Sequence, residues 1–138
     1  MVGLVIVTHG NLAEEFMRVA EMIIGRVEGM RAVSIAATDN VDEAITRVKQ
    51  AASEVDSGAG ILILTDMFGG TPSNIGLSFL NNENNEVVTG VNLPMLLKYY
   101  HHREDKPLRE LAVLVCDGGQ KSIINASEML RKQVGEKV

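Results

Sequence analysis

The chain has 138 residues, of which 46% are hydrophobic and 22% charged, and this composition predicts one folded globular domain spanning residues 1–138. The formal net charge of −5 and the lack of tryptophan argue against nucleic acid as a partner, because phosphate backbones need a basic surface and bases need aromatic stacking. The single cysteine, Cys116, excludes a disulfide framework within the chain and suits a reducing compartment. Apolar runs fall short of the roughly 20 residues of a membrane span, so we expect a cytoplasmic protein without direct membrane insertion.

Apolar segments rich in β-branched residues alternate with segments of helical periodicity. The predicted strands cover residues 2–8, 31–37, 60–65 and 86–91. Asn11 with Glu14 three residues later has the spacing of a capping box, which predicts that the first helix begins there. Asn40 and Glu43 repeat that spacing and predict the start of the second helix.

The second half of the chain continues the alternation but becomes ambiguous near its end. Thr71 is predicted to cap a short helix whose first residue is Pro72, where a missing N–H is harmless. Another helix is predicted from Pro94 to about residue 102. Residues 108–116 have the composition of a strand and the apolar spacing of a helix, and Gly118–Gly119 is expected to break the chain.

Strands that alternate with helices predict a doubly wound α/β sheet with mostly parallel strands. In such sheets, ligands bind beyond the carboxyl ends of the strands, where the strand order reverses. Three of these ends carry unusual residues: His9 after the first strand, Asp66 after the third, and residues 90–92 after the fourth. Their convergence is the main functional signal of the sequence.

His9 is a candidate nucleophile at the seam between a buried strand and a helix start. A lone histidine is more often structural or exposed without a role. As a nucleophile it would need one ring nitrogen to donate a proton to a fixed acceptor while the other presents a lone pair. Asp66, at the end of a neighbouring strand, is the predicted acceptor, although an aspartate before a glycine-rich turn is also ordinary turn chemistry.

The segment GGTPS at residues 69–73 is a candidate phosphate-binding loop. Its glycines allow a ligand to approach the backbone, and the following helix start offers free N–H groups, so we expect Gly70, Thr71 and Ser73 to contact phosphate. A simple tight turn is the alternative. Met67 and Phe68 precede the glycines and are either core residues or, if exposed, an apolar rim for docking another protein.

A metal site is not expected. Adjacent His101 and His102 point in different directions on a helix and are interpreted as a solvated helix end. His9 and Asp66 alone supply too few ligands for a catalytic zinc ion, which usually has three from the protein.

Four segments in order carry a family resemblance: VTHG (7–10), AEMIIG (20–25), ILILTDMFGGTPSN (61–74) and VVTGVNLPMLL (87–97). On these motifs the chain resembles the IIA component of the mannose class of the sugar phosphotransferase system. The resemblance implies a flavodoxin-like α/β fold and a phosphohistidine carrier. His9 would accept a phosphoryl group through Nε2, Asp66 would orient its ring, and Thr71 would hold the phosphate without any cofactor.

The resemblance also implies partners. The phosphoryl group would come from the histidine-containing phosphocarrier protein and pass to a IIB component, which we expect to be a separate chain because this one stops at Val138. A homodimer with an exchanged C-terminal strand is implied, with residues 121–126 as the candidate strand and residues 108–116 as a helix. The sugar, and whether the role is transport or regulation, stay open.

Other functions compete with this hypothesis. A histidine phosphatase or mutase would need an arginine where Thr8 stands. A non-catalytic module could bind an anion or a partner protein at the same loop. The phosphocarrier subunit of a dihydroxyacetone kinase system resembles this family in fold and histidine chemistry, and the sequence alone separates the two poorly.

Overall fold

The sheet consists of four parallel strands. In the computed structural model, which describes residues 1–135, they are β1 (Gly3–His9), β2 (Met30–Ile35), β3 (Ile61–Thr65) and β4 (Asn85–Thr89). Their order across the sheet is β2-β1-β3-β4, so β1 and β3 are central and β4 is an edge strand. The predicted doubly wound α/β fold is confirmed, and this strand order matches the flavodoxin-like arrangement.

Helices cover both faces of the sheet. They are α1 (Leu12–Ile24), α2 (Val41–Val55), α3 (Thr71–Leu77), α4 (Leu93–His102), α5 (Leu108–Lys121) and α6 (Ala126–Gln133), with a 3-10 turn at Ser78–Asn81. Within residues 1–135, none of the helices combines the length and the apolar character that crossing a bilayer requires.

The core has one layer on each face of the sheet, because successive strand residues point to opposite sides. In β1, Leu4 and Ile6 pack with α1, α4 and α5, whereas Val5 and Val7 pack with α2 and α3. The central strands are therefore buried on both faces, which explains their continuous apolar sequence.

The register places the ends of β1 and β3 side by side. Val7 pairs with Thr65, the last residue of β3, so β1 extends two residues further, to His9. The chain leaves β1 for β2 on one side and later returns to β3 on the other side. His9 and Asp66 therefore flank the point where the strand order reverses, which is the predicted ligand-binding position.

The predicted start of α1 directly after Asn11 is confirmed, but the predicted capping bond is absent. Asn11 makes no side-chain capping hydrogen bond, and its backbone angles (φ −85°, ψ 11°) are not those of an extended capping residue. The buried hydroxyl of Thr8 instead accepts the N–H of Ala13 at 2.7 Å. The cap of α2 is confirmed, since the Asn40 side chain accepts the N–H groups of Asp42 and Glu43. The short third helix is displaced by one residue: Gly70 is its cap and Thr71 its first residue.

The C-terminal third corrects one expectation. Residues 108–116 form part of helix α5, as the resemblance implies, but the expected break at Gly118–Gly119 does not occur. A Cβ on Gly119 would lie 2.6 Å from Met95 Cγ, so this glycine lets α5 approach α4 closely. In the single chain, residues 122–125 lie between α5 and α6 without regular secondary structure, and the expected exchange of a strand at residues 121–126 with a second copy stays a prediction.

Candidate active site

His9 and Asp66 form a hydrogen-bonded pair at the carboxyl edge of the sheet. His9 Nδ1 lies 2.7 Å from Asp66 Oδ2, and the backbone N–H of His9 donates to the same oxygen at 3.0 Å. The other oxygen, Oδ1, accepts the N–H of Met67 at 3.0 Å. The carboxylate is thus fixed on both oxygens, and in turn it fixes the histidine at its backbone and its ring.

The environment keeps Asp66 ionised. Partial burial raises the pKa of its carboxyl group, but the hydrogen bonds and the charge of His9 outweigh that effect and hold the pKa below the usual range. An ionised carboxylate can only accept hydrogen bonds. The proton of a neutral His9 ring therefore belongs on Nδ1, and Nε2 carries the free lone pair.

The Nε2 edge of the ring lies against Gly70. A Cβ built on Gly70 would be 3.2 Å from Nε2 and 3.0 Å from Cε1 of His9. The φ of Gly70 is −152°, which any residue can adopt, so the requirement for glycine is space beside the ring. Its neighbour Gly69 has a φ of +82° with open surroundings, so there the requirement is conformational.

The start of α3 supplies polar groups beside the ring. Thr71 is exposed and lines the same cavity as His9. Within residues 1–135, the N–H groups of Gly70 and Thr71 have no hydrogen-bond acceptor, since the backbone bonds of this turn begin with Asn74 N–H to Gly70 C=O. Ser73 is fully buried, and its Oγ has no partner among the described residues. Ser73 is therefore the one predicted phosphate ligand that solvent does not reach.

A cavity of about 370 Å³ opens beside His9, between α2, α3 and the loop after β2. Its walls are mostly apolar and include Ile35, Ala36, Ala37 and Val41. Asp39 is its acidic residue, and the carboxylate accepts from Ala36 N–H at 2.7 Å and from Arg47 at 2.8 Å. No lysine or arginine is among the residues that line this cavity in the described part of the chain.

The residues between Asp66 and the glycines are exposed. The exposed fraction is 54% for Met67 and 74% for Phe68, so neither belongs to the core. Two apolar side chains thus project into solvent next to the His9–Asp66 pair, which is typical of a surface that contacts another protein.

The other candidate positions make no hydrogen bond to this pair within residues 1–135, although Gly90 and Val91 after β4 donate their N–H groups to the C=O of Thr65, directly before Asp66. The side chain of Asn92, after β4, caps α4: its Oδ1 accepts the N–H of Met95, and its Nδ2 donates to Gly119 C=O. Its role is therefore structural. His101 and His102 end α4, with His102 Nδ1 3.5 Å from Asp105. No group of three histidine, cysteine or acidic residues that could hold a metal ion occurs within residues 1–135.

Sequence reasoning missed two features of the site. The wall formed by residues 35–37 of the β2–α2 segment has no motif, because its small apolar residues resemble any strand end. Thr8 was missed as the cap of α1 because it lies five residues before Ala13, outside the usual capping spacing. The pattern T-H-G was visible, but only the contact shows what the threonine does.

A family model described as the fructose IIA component of the PTS system matches residues 3–115. The chain belongs to this family. The match includes both His9 and the segment from Asp66 to Ser73, and it ends within α5.

Individual members of the PTS IIA family agree with the assignment. The mannose-specific EIIAB component of Escherichia coli (strain K12) is 32% identical over 124 residues, which cover 88% of this chain and 38% of that protein. The chain thus spans well under half the length of that relative. The fructose-specific EIIA component of Bacillus subtilis (strain 168) is 29% identical over 96% of this chain and 91% of its own length.

A solved structure shows the same fold. The PTS IIA protein associated with the fucose utilization operon of Streptococcus pneumoniae has a TM-score of 0.82 and 30% sequence identity. The superposition covers 94% of this chain and 99% of that one.

Proposed function

We propose that the chain is a phosphohistidine carrier of a sugar phosphotransferase system. His9 accepts a phosphoryl group from the histidine-containing phosphocarrier protein and passes it to a IIB component. The observation that carries the proposal is the bond between His9 Nδ1 and Asp66, which leaves the Nε2 lone pair free at the edge of a cavity.

In the transfer step, His9 Nε2 attacks the phosphorus atom of the donor. The new N–P bond forms as the donor's N–P bond breaks, and the Nδ1 proton stays in place. The ring becomes cationic as the bond forms, and the negative charge of Asp66 stabilises it. Discharge to the IIB component reverses the same events at Nε2.

Neutral donors receive the phosphoryl oxygens. The N–H groups of Gly70 and Thr71 and the Thr71 hydroxyl are the groups next to Nε2 that can donate. A carrier must release its phosphoryl group as readily as it accepts it. Neutral donors suit that task because a fixed cation would hold the phosphoryl group more tightly.

Partner proteins dock around the cavity. Met67 and Phe68 form an exposed apolar rim beside the site and are the docking residues that we propose. The chemistry needs no metal or nucleotide, and the carrier works in the cytoplasm, where a soluble phosphoryl donor reaches it.

The carrier is a homodimer. Ile123 and Ile124, between α5 and α6, and Met129, Leu130 and Val134, in or after α6, are exposed in the single chain. Within residues 1–135, strand β4 pairs with β3 alone and so has one open edge. An apolar segment and an unpaired strand edge of this kind are expected to be covered by a second copy. The candidate strand exchange would provide that cover.

The experiment incubates the chain with phosphoenolpyruvate and the two upstream phosphotransferase proteins and then measures its mass by intact-protein mass spectrometry. We expect the mass of one phosphoryl group, lost in acid and absent from His9→Ala, whereas His101→Ala serves as the matched control and labels normally. Stable labelling of His9→Ala, or none of the wild type, would contradict the proposal. Discharge by a IIB protein, as opposed to a dihydroxyacetone kinase subunit, identifies the acceptor.

A further inference from the structure

We propose that the buried hydroxyl of Thr8 is a positioning group for His9. Its bond to Ala13 closes the turn that carries His9 and holds the imidazole ring in register with Asp66 and Gly70. The rate test of this inference rests on the proposed function, because it measures phosphoryl acceptance. The spectroscopic test does not, because it reads the tautomer of the unphosphorylated ring.

The Thr8–Ala13 bond is sealed from water. Both residues have no exposed surface, and the distance from Thr8 Oγ1 to Ala13 N is 2.7 Å. Water cannot replace the hydroxyl at a fully buried position, so removing the oxygen leaves a buried N–H group without an acceptor. The first turn of α1 therefore depends on Thr8, because Asn11 makes no capping bond.

Hydrogen bonds hold the turn from His9 to Leu12 at both ends. On the strand side, Thr8 pairs with Ser34 of β2, and Gly10 N–H donates to Ile35 C=O at 2.8 Å. Gly10 has a φ of +53°, so the chain turns sharply directly after the histidine. On the helix side, the N–H of Ala13 donates to the Thr8 hydroxyl, and this bond connects the helix start to the end of β1.

The His9 ring tolerates little displacement. Nδ1 is 2.7 Å from Asp66, and the opposite edge lies within contact distance of Gly70. A shift of the turn would lengthen the first contact or close the space at the second. Thr8 is buried and cannot contact a docked partner, so its effect should appear in the chemical step rather than in partner binding.

The test compares Thr8→Val, which removes the acceptor at nearly the same volume, with Thr8→Ser, which keeps it. Asn11→Ala is the control, because that side chain caps nothing. Long-range ¹H–¹⁵N spectra report the tautomer of the unphosphorylated His9 ring at a pH where it is neutral. We expect the Nδ1–H tautomer in wild type, Thr8→Ser and Asn11→Ala, and a mixture of tautomers in Thr8→Val.

The rate measurement uses the same variants. In Thr8→Val, kcat for phosphoryl acceptance should fall about tenfold or more with little change in KM for the donor protein, and Thr8→Ser should restore it. A folded Thr8→Val protein with the wild-type tautomer and kcat would overturn the inference. If that variant does not fold, Thr8→Cys under reducing conditions replaces it, since sulfur is a weak acceptor. The same mixture of tautomers and the same fall in kcat are expected, and wild-type values would overturn the inference. Wild type that accepts no phosphoryl group would refute the proposed function, while the tautomer comparison would still test Thr8.

Discussion

One oxygen of Asp66 accepts two hydrogen bonds from His9, one from the backbone N–H and one from the ring Nδ1. The two residues are 57 positions apart in the chain and meet because β1 and β3 are neighbours. This carboxylate therefore anchors the histidine at its backbone and its ring and sets which ring nitrogen holds the proton.

The first prediction concerns the charge of Asp66. Asp66→Asn keeps the shape of the side chain, but its amide can no longer enforce the Nδ1–H tautomer or stabilise a cationic ring. We expect the rate of phosphoryl acceptance to fall by up to about 10⁴, the loss seen when the orienting aspartate of a serine protease is replaced by asparagine. Rapid-quench phosphorylation measures this rate. Asp42→Asn, an exposed carboxylate in the first turn of α2, is the control and should react like wild type.

The second prediction is a pH dependence of stability. The pKa of Asp66 is lower in the folded protein than the usual 3.8, so its interactions stabilise the fold above that value. The stabilisation is lost as the pH falls through the lowered pKa of the folded state. We expect the difference in unfolding free energy between wild type and Asp66→Asn to shrink below about pH 4, as measured by urea denaturation at several pH values. A difference that stays constant between pH 7 and pH 3 would rule out this linkage.

The third prediction separates two adjacent glycines. Gly70→Ala places a methyl group 3.2 Å from His9 Nε2 in a backbone conformation that alanine accepts. We expect phosphoryl acceptance to slow about tenfold or more, with a change in unfolding free energy of about 1 kcal/mol or less.

Gly69→Ala should show the opposite pattern. Its φ of +82° strains an alanine, but its surroundings are open. We expect a loss of about 1–2 kcal/mol of stability and little change in the chemical step. Thermal unfolding and rapid-quench kinetics measured on both variants check this contrast, and equal effects on rate would show that Gly70 has no special place beside the ring.

The fourth prediction concerns the C-terminal apolar segment. The exposed fraction of Ile123 is 79%, and Ile124 beside it is also exposed, so we expect a second copy to cover them. Light scattering with size-exclusion chromatography should show a dimer for wild type and a monomer for the double variant Ile123→Asp, Ile124→Asp. Met22→Asp, on the exposed face of α1, is the control and should remain dimeric. A monomeric wild type at about 50 µM, a concentration well above the Kd of a stable dimer, would contradict the proposal.

The sequence predicted the sheet well because its strands are buried on both faces. A short, continuous apolar run such as residues 60–65 predicts a strand buried on both faces, and the helices between such runs are amphipathic. Parallel strands then place their carboxyl ends at one edge of the sheet. For this reason His9 and Asp66 could be paired although no characteristic sequence spacing links them. Where local patterns compete, the predictions fail in part: α1 begins after Asn11 as predicted, but that side chain makes no capping bond, and Gly118–Gly119 does not break α5.

Those errors have a common physical cause, which is that tertiary contacts decide between locally acceptable alternatives. The Thr8 hydroxyl caps α1 because the turn after β1 brings it to Ala13. Residue 119 is a glycine inside α5, not a break, because any larger residue would collide with Met95 of α4. By itself, the sequence determined the order of elements as far as α4, the fold class and the pairing of His9 with Asp66, since the buried parallel strands follow from its apolar pattern. Only the tertiary structure decided which nitrogen of His9 is free, because that depends on the distance of 2.7 Å between its ring and a carboxylate from another strand.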